Sequence, residues 1–112
     1  MESTELADKI ARGVPPAVVD VRTGFEFRAG HIPGAINAPI WKILLRLVSL
    51  PQDKNTELVV LCELGPRAVM AKALLGFLGY RNITLLDGHM AAWRRSDLPM
   101  EKGKVNSLKV EG

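Results

Sequence analysis

Three short apolar runs most constrain how this chain can fold. Ala17-Val18-Val19-Asp20-Val21, Leu58-Val59-Val60-Leu61 and Ile83-Thr84-Leu85-Leu86 are nearly continuous in hydrophobicity, the pattern of parallel strands covered on both faces. Each reads as a central strand. Parallel neighbours need crossover connections, and the intervening segments supply helical periodicity. Between the second and third runs, Met70, Leu74, Phe77 and Leu78 fall at helical spacing within 68–78. Arg67 and Lys72 form a thin polar face there, and Gly79 is placed to end the helix. Near the start, Thr4 can cap a first helix whose Leu6 and Ile10 share a face, and Gly13 with Pro15 and Pro16 stops it. The stretch 41–50 sets Lys42 and Arg46 one helical turn apart among Trp41, Ile43, Leu44, Leu45, Leu47 and Val48. It is expected to form a second sheet-covering helix, since small domains seldom leave wide apolar patches in water. The fold class is α/β.

A chain of 112 residues, 47% apolar and 24% charged, suffices for one globular domain and not two. The single cysteine excludes an internal disulfide and a multi-thiolate metal site, and the two histidines are too far apart in sequence to supply missing ligands. A net charge of +3 without basic runs argues against nucleic acid and fits a small anionic partner better. Glu2, Glu5 and Asp8, with no apolar core around them, are not expected to belong to a signal peptide. The apolar stretch 39–50 is far short of the ~20 residues a membrane span needs. A cytoplasmic location is the default expectation. The tail after Pro99 has no periodicity and is expected to fray over 100–112.

Cys62 carries the chemistry. It directly follows the apolar strand ending at Leu61 and precedes Glu63-Leu64-Gly65-Pro66-Arg67 and a helix. Ligands of open α/β sheets bind beyond the carboxyl ends of strands, where the free amides of a following helix converge. A helix N-terminus there stabilises a thiolate, the nucleophilic form, and any anion beside it. Gly65 allows the tight curl that gathers amides on one point, and Arg67 adds fixed positive charge. A lone cysteine at a strand end can also be plain core packing, but packing alone gives no reason for the Gly and the Arg.

These residues fall within a wider pattern. Val18-Val19-Asp20-Val21-Arg22, Glu26-Phe27 and Gly30-His31-Ile32-Pro33-Gly34-Ala35-Ile36-Asn37 come first, then Val59-Val60-Leu61-Cys62 with its loop to Arg67, then Leu85-Leu86-Asp87-Gly88-His89-Met90-Ala91-Ala92-Trp93. In order and spacing the chain resembles the single-domain rhodaneses, a sulfurtransferase-type family, over about 17–99. The resemblance implies a three-layer α/β sandwich, with a mostly parallel central sheet and helices on both faces. It also implies a persulfide mechanism. Cys62 would take the outer sulfur of a donor such as thiosulfate and pass it to a thiophilic acceptor, a small thiol or a protein cysteine. The loop from Glu63 through Leu64, Gly65, Pro66 and Arg67 to Ala68 would stabilise persulfide and leaving anion, with no metal or organic cofactor.

Related cysteine phosphatases and arsenate reductases place one residue more between Cys and Arg. The shorter loop here is expected to be too small for a phosphoryl group. Glu63 sets a negative charge beside the nucleophile and is expected to point outward, while Pro66 removes one amide donor. His31 and His89 are expected to serve as hydrogen-bonded framework residues and not as metal ligands. Asp20 and Arg22 are expected to form an ion pair bracing the site, and Gly34 and Gly88 to take turn conformations. Trp93 should pack in the core, on a helix capped by Asp87. A non-catalytic binding or regulatory module, engaging a partner through the loop or through 41–50, stays open as the alternative.

Overall fold

The computed structural model describes residues 1–103. Strands β1 (Ala17–Asp20), β2 (Ile36–Asn37), β3 (Leu58–Leu61) and β4 (Ile83–Leu85) form one parallel sheet in the order β2-β1-β3-β4. The two inner strands, β1 and β3, have the most completely apolar runs, because both their faces are covered. Strand alternation sorts them. Val19, Leu58 and Val60 face α3 (Ile40–Leu44) and α4 (Pro66–Phe77). Val18, Val59 and Leu61 face α1 (Ser3–Ala11), α2 (Gly24–Ala29) and α5 (His89–Arg95). The same alternation puts Cys62 on the α4 side.

Several sequence expectations are corrected. The third run lies at the sheet edge, not centrally, and β4 is only half-buried. Helix α1 begins at Ser3 after Glu2, so Thr4 lies inside it and caps nothing. Helix α4 starts at Pro66, two residues earlier than expected, and buries Ala68, Ala71 and Leu75, whereas Met70 and Phe77 are exposed. Small residues set this face, since two alanines let the helix lie close to the sheet where larger side chains would hold it away.

The expected helix over 41–50 also fails. Helix α3 stops after five residues, and Arg46 turns left-handed at φ 57°, which ends a right-handed helix. Ile43 and Val48 reach the core, but Trp41, Leu44, Leu45 and Leu47 remain exposed. The expected frayed tail is held as far as it is described: Glu101 exchanges backbone hydrogen bonds with His31, and the Gly103 amide donates to Arg28 O at 2.9 Å. The rest of that stretch lies outside the described residues. Trp93 is buried as expected and donates from Nε1 to Pro99 O at 2.9 Å.

Candidate active site

Strand β3 ends one residue before Cys62, and α4 begins four residues after it. Gly65 bridges the gap at φ 136°, a conformation side chains resist, and a Cβ there would lie 3.2 Å from Nε2 of His89. The Gly65 amide donates to Cys62 Sγ at 3.0 Å. Pro66 occupies the first turn of α4, where its missing N–H removes no intrahelical bond. Among the described residues, the amides of Glu63 and Leu64 donate to no protein acceptor. They lie beside the free first-turn amides and the positive end of the α4 dipole.

The loop is fastened from the far side of the sheet. The Cys62 amide donates to Nδ1 of His89 at 3.3 Å. Cys62 O accepts from Met90 N at 3.1 Å, and Glu63 O from Ala91 N at 3.3 Å. The N-terminal amides of α5 thus hold carbonyls of the loop. Burial lowers the pKa of His89, with Asp87 opposing more weakly, so near neutral pH the ring stays neutral and Nδ1 keeps its lone pair. Asp87 does not cap α5. Gly88 holds that position at φ 71°, and a Cβ there would come 2.4 Å from the Cβ of Ala92.

Three arginines surround this loop, each paired. Buried Arg22 meets buried Asp20 through Nε to Oδ1 at 3.0 Å and Nη2 to Oδ2 at 2.8 Å. Its Nη2 also donates to Gly30 O at 2.8 Å, and Asn37 Nδ2 ties Asp20 O and Arg22 O together. Arg67 grips Glu26 with two bonds of 2.7 and 3.1 Å, which with the Thr23 contacts lowers the Glu26 pKa to about 2 against the opposing effect of burial. Glu63 pairs with Arg94 and lies 3.7 Å from Arg22 Nη1. His31 joins none of these three arginine pairs, although it directly follows Gly30, the carbonyl partner of Arg22. It stacks on Phe27 at 3.7 Å, its Nδ1 lies 2.8 Å from Phe27 O, and its Nε2 is 3.7 Å from Glu101.

Sequence reasoning put Cys62, Glu63, Leu64, Gly65, Pro66, Arg67 and Ala68 in one loop and helix start, and the fold keeps them together. It missed Glu26 and Arg94 as partners of that loop. Glu26 has a local signal, because it closes a capping box with Thr23 at the start of α2. Arg94, 31 residues from Glu63, has none. Cys62 is 1% exposed, so any reaction at Sγ requires a donor to enter a closely fitted loop.

The comparisons with known proteins define the class. The Rhodanese-like domain family profile matches residues 2–96, and the chain belongs to that family. A protein named Sulfurtransferase from Allochromatium vinosum is 33% identical over 100 residues, 89% of this chain and 92% of its own length. The HTH-type transcriptional regulator Rv0324 of Mycobacterium tuberculosis is 38% identical over 89 residues, 77% of this chain but 38% of the regulator. The crystal structure of the Alr3790 protein from Anabaena sp. matches with a TM-score of 0.80 at 26% identity, covering 94% of this chain and 84% of that one. The three-layer fold implied by the sequence resemblance is therefore the one observed. Among the described residues, no helix is long and apolar enough to cross a membrane, and no group of three or more His, Cys, Asp or Glu side chains could hold a metal ion.

Proposed function

We propose that this domain is a sulfurtransferase that moves a sulfane sulfur through a persulfide on Cys62. The observation that carries the reading is the hydrogen bond from the Gly65 amide to Sγ at 3.0 Å, made at the positive end of α4. In the first half-reaction the Cys62 thiolate attacks the outer sulfur of thiosulfate. The new S–S bond forms as the donor's S–S bond breaks, and sulfite departs with the electron pair. In the second, a thiophilic acceptor such as cyanide or a thiolate attacks the outer persulfide sulfur, and the Cys62 thiolate returns. In this reading the Glu63, Leu64 and Gly65 amides receive the negative charge of the persulfide and of the departing group, which the Gly65 bond to Sγ supports. Arg67 and Ala68, in the first turn of α4, add the remaining donors. Asp20, Arg22 and His89 hold the loop in shape, and His31 braces the segment that carries Arg22's carbonyl partner. A small anionic donor and a thiol or protein-cysteine acceptor are the partners this chemistry needs, in a reducing compartment such as the cytoplasm.

The test is thiocyanate formation from thiosulfate and cyanide. Wild type should turn over, and Cys62→Ser should be reduced to background. Turnover that survives in Cys62→Ser would overturn the reading. A regulatory module is the second reading, favoured by the near-complete burial of Cys62 together with exposed Trp41, Leu44 and Leu45; it predicts no turnover from a folded domain.

A further inference from the structure

The charge group around Cys62 contains three guanidiniums, Arg22, Arg67 and Arg94, and three carboxylates, Asp20, Glu26 and Glu63, joined pairwise. Glu63 has the central place in it, held by Arg94 and facing Arg22 Nη1 at 3.7 Å. The members also act on one another across pairs. The pKa of Arg94 is raised first by its bond to Glu63 and further by the charges of Asp20 and Glu26, and that of Arg67 first by its bond to Glu26 and further by Cys62 and Asp20. The group is therefore balanced before the thiol ionises and negative once it has. His89 adds no compensating charge while its ring is neutral. Each of these three guanidiniums has a carboxylate partner among the described residues, so a donor entering this loop meets the amides and the helix dipole and not an unpaired charge from Arg22, Arg67 or Arg94.

We propose that Glu63, clasped by Arg94, selects the donor by charge, so that the site takes singly charged sulfane-sulfur donors, such as organic thiosulfonates and persulfides, in preference to the thiosulfate dianion. The inference rests on the sulfur-transfer reading and deepens it by naming the donor class. Glu63 acts here as a specificity-determining residue whose carboxylate repels the second charge of thiosulfate. Arg94 is a positioning residue that masks part of that repulsion and holds the carboxylate at the loop.

Methanethiosulfonate ion and thiosulfate make a matched pair of probes. Both give up an outer sulfur to a thiolate by breaking one S–S bond, one releasing methanesulfinate and the other sulfite, and they differ by one negative charge. The experiment measures kcat/KM for each, with cyanide as acceptor, in wild type, Glu63→Gln and Arg94→Gln. Wild type should favour the thiosulfonate. Glu63→Gln should shift the thiosulfate-to-thiosulfonate ratio about tenfold toward thiosulfate, mainly through KM, because one unit of charge repulsion on the dianion is removed. Arg94→Gln should shift the ratio the other way by about fivefold. A loss of folding or loop geometry moves both donors together and leaves the ratio unchanged. In variants that stay folded and still transfer sulfur from both donors at the wild-type order of magnitude, a ratio unmoved by either substitution overturns the inference while leaving sulfur transfer intact. Absence of transfer from both donors in wild type removes the reading beneath it.

Discussion

The Cys62 amide donates to Nδ1 of His89 at 3.3 Å, so the backbone at Cys62 is oriented by an imidazole 27 positions away on the opposite layer of the sandwich. This bond exists only with the ring neutral. Burial places the pKa of His89 below its ordinary value of 6.5. Below that value the unfolded chain therefore binds a proton that the folded chain refuses. Stability from this site is complete above pH 6.5 and declines as pH falls toward the folded pKa. Thermal unfolding should show wild type losing melting temperature between pH 7.5 and 5.5, with the slope reduced in His89→Asn. An unchanged slope would mean that His89 does not titrate on unfolding.

Glu26 has the opposite dependence. Its pKa falls from 4.5 to about 2, chiefly through Arg67, so its contribution is present above pH 4.5 and is lost as pH drops toward 2. Glu26→Gln should flatten the acid limb of the melting curve over that window. Arg67→Ala should do the same and also lower turnover, whereas a parallel loss of melting temperature and activity at neutral pH would assign Arg67 a purely structural role.

Gly65→Ala tests the loop backbone. A side chain at φ 136° meets the His89 ring at 3.2 Å, and both strain and contact oppose it, at a cost of about 1–3 kcal/mol. Because the same amide donates to Sγ, turnover should fall by more than the folded fraction does. Full turnover per folded molecule would show that this hydrogen bond is not needed.

The Asp20 and Arg22 pair is buried, bidentate and joined to Gly30 and Asn37. Removing one partner strands the other charge, which costs about 3–5 kcal/mol. Arg22→Met should lower the denaturant midpoint sharply, and Asp20→Asn with Arg22→Met together should recover part of the loss. A double variant no better than the worse single would show that charge burial is not the source.

The inner strands and the position of Cys62 were legible because continuous apolar runs have few uses other than a doubly covered strand, and period-two alternation then fixes the face. The elements missed were those that local pattern does not decide. Strand β2 is two residues long, too short for any periodicity. Helix α3 reads as a full helix because its residues tolerate one, yet the left-handed turn at Arg46 is a tertiary choice that brings Ile43 and Val48 to the core. Helix α4 is apolar nearly all round, so its sequence did not say that Ala71, and not Met70 or Phe77, would face the sheet. In the site, the Cys-to-Arg loop was legible as a local motif. Its neutralisation was not, because Glu63 meets Arg94 and Arg67 meets Glu26 only after the layers assemble.

Sulfur transfer by this domain requires Cys62 to accept a sulfur atom despite its 1% exposure. Intact mass of the reduced protein after brief exposure to thiosulfate or methanethiosulfonate, followed by removal of donor, reads this directly. The expected result is an adduct of about 32 Da in wild type, absent in Cys62→Ser and discharged by cyanide. A folded wild-type protein that keeps its starting mass with both donors would contradict it.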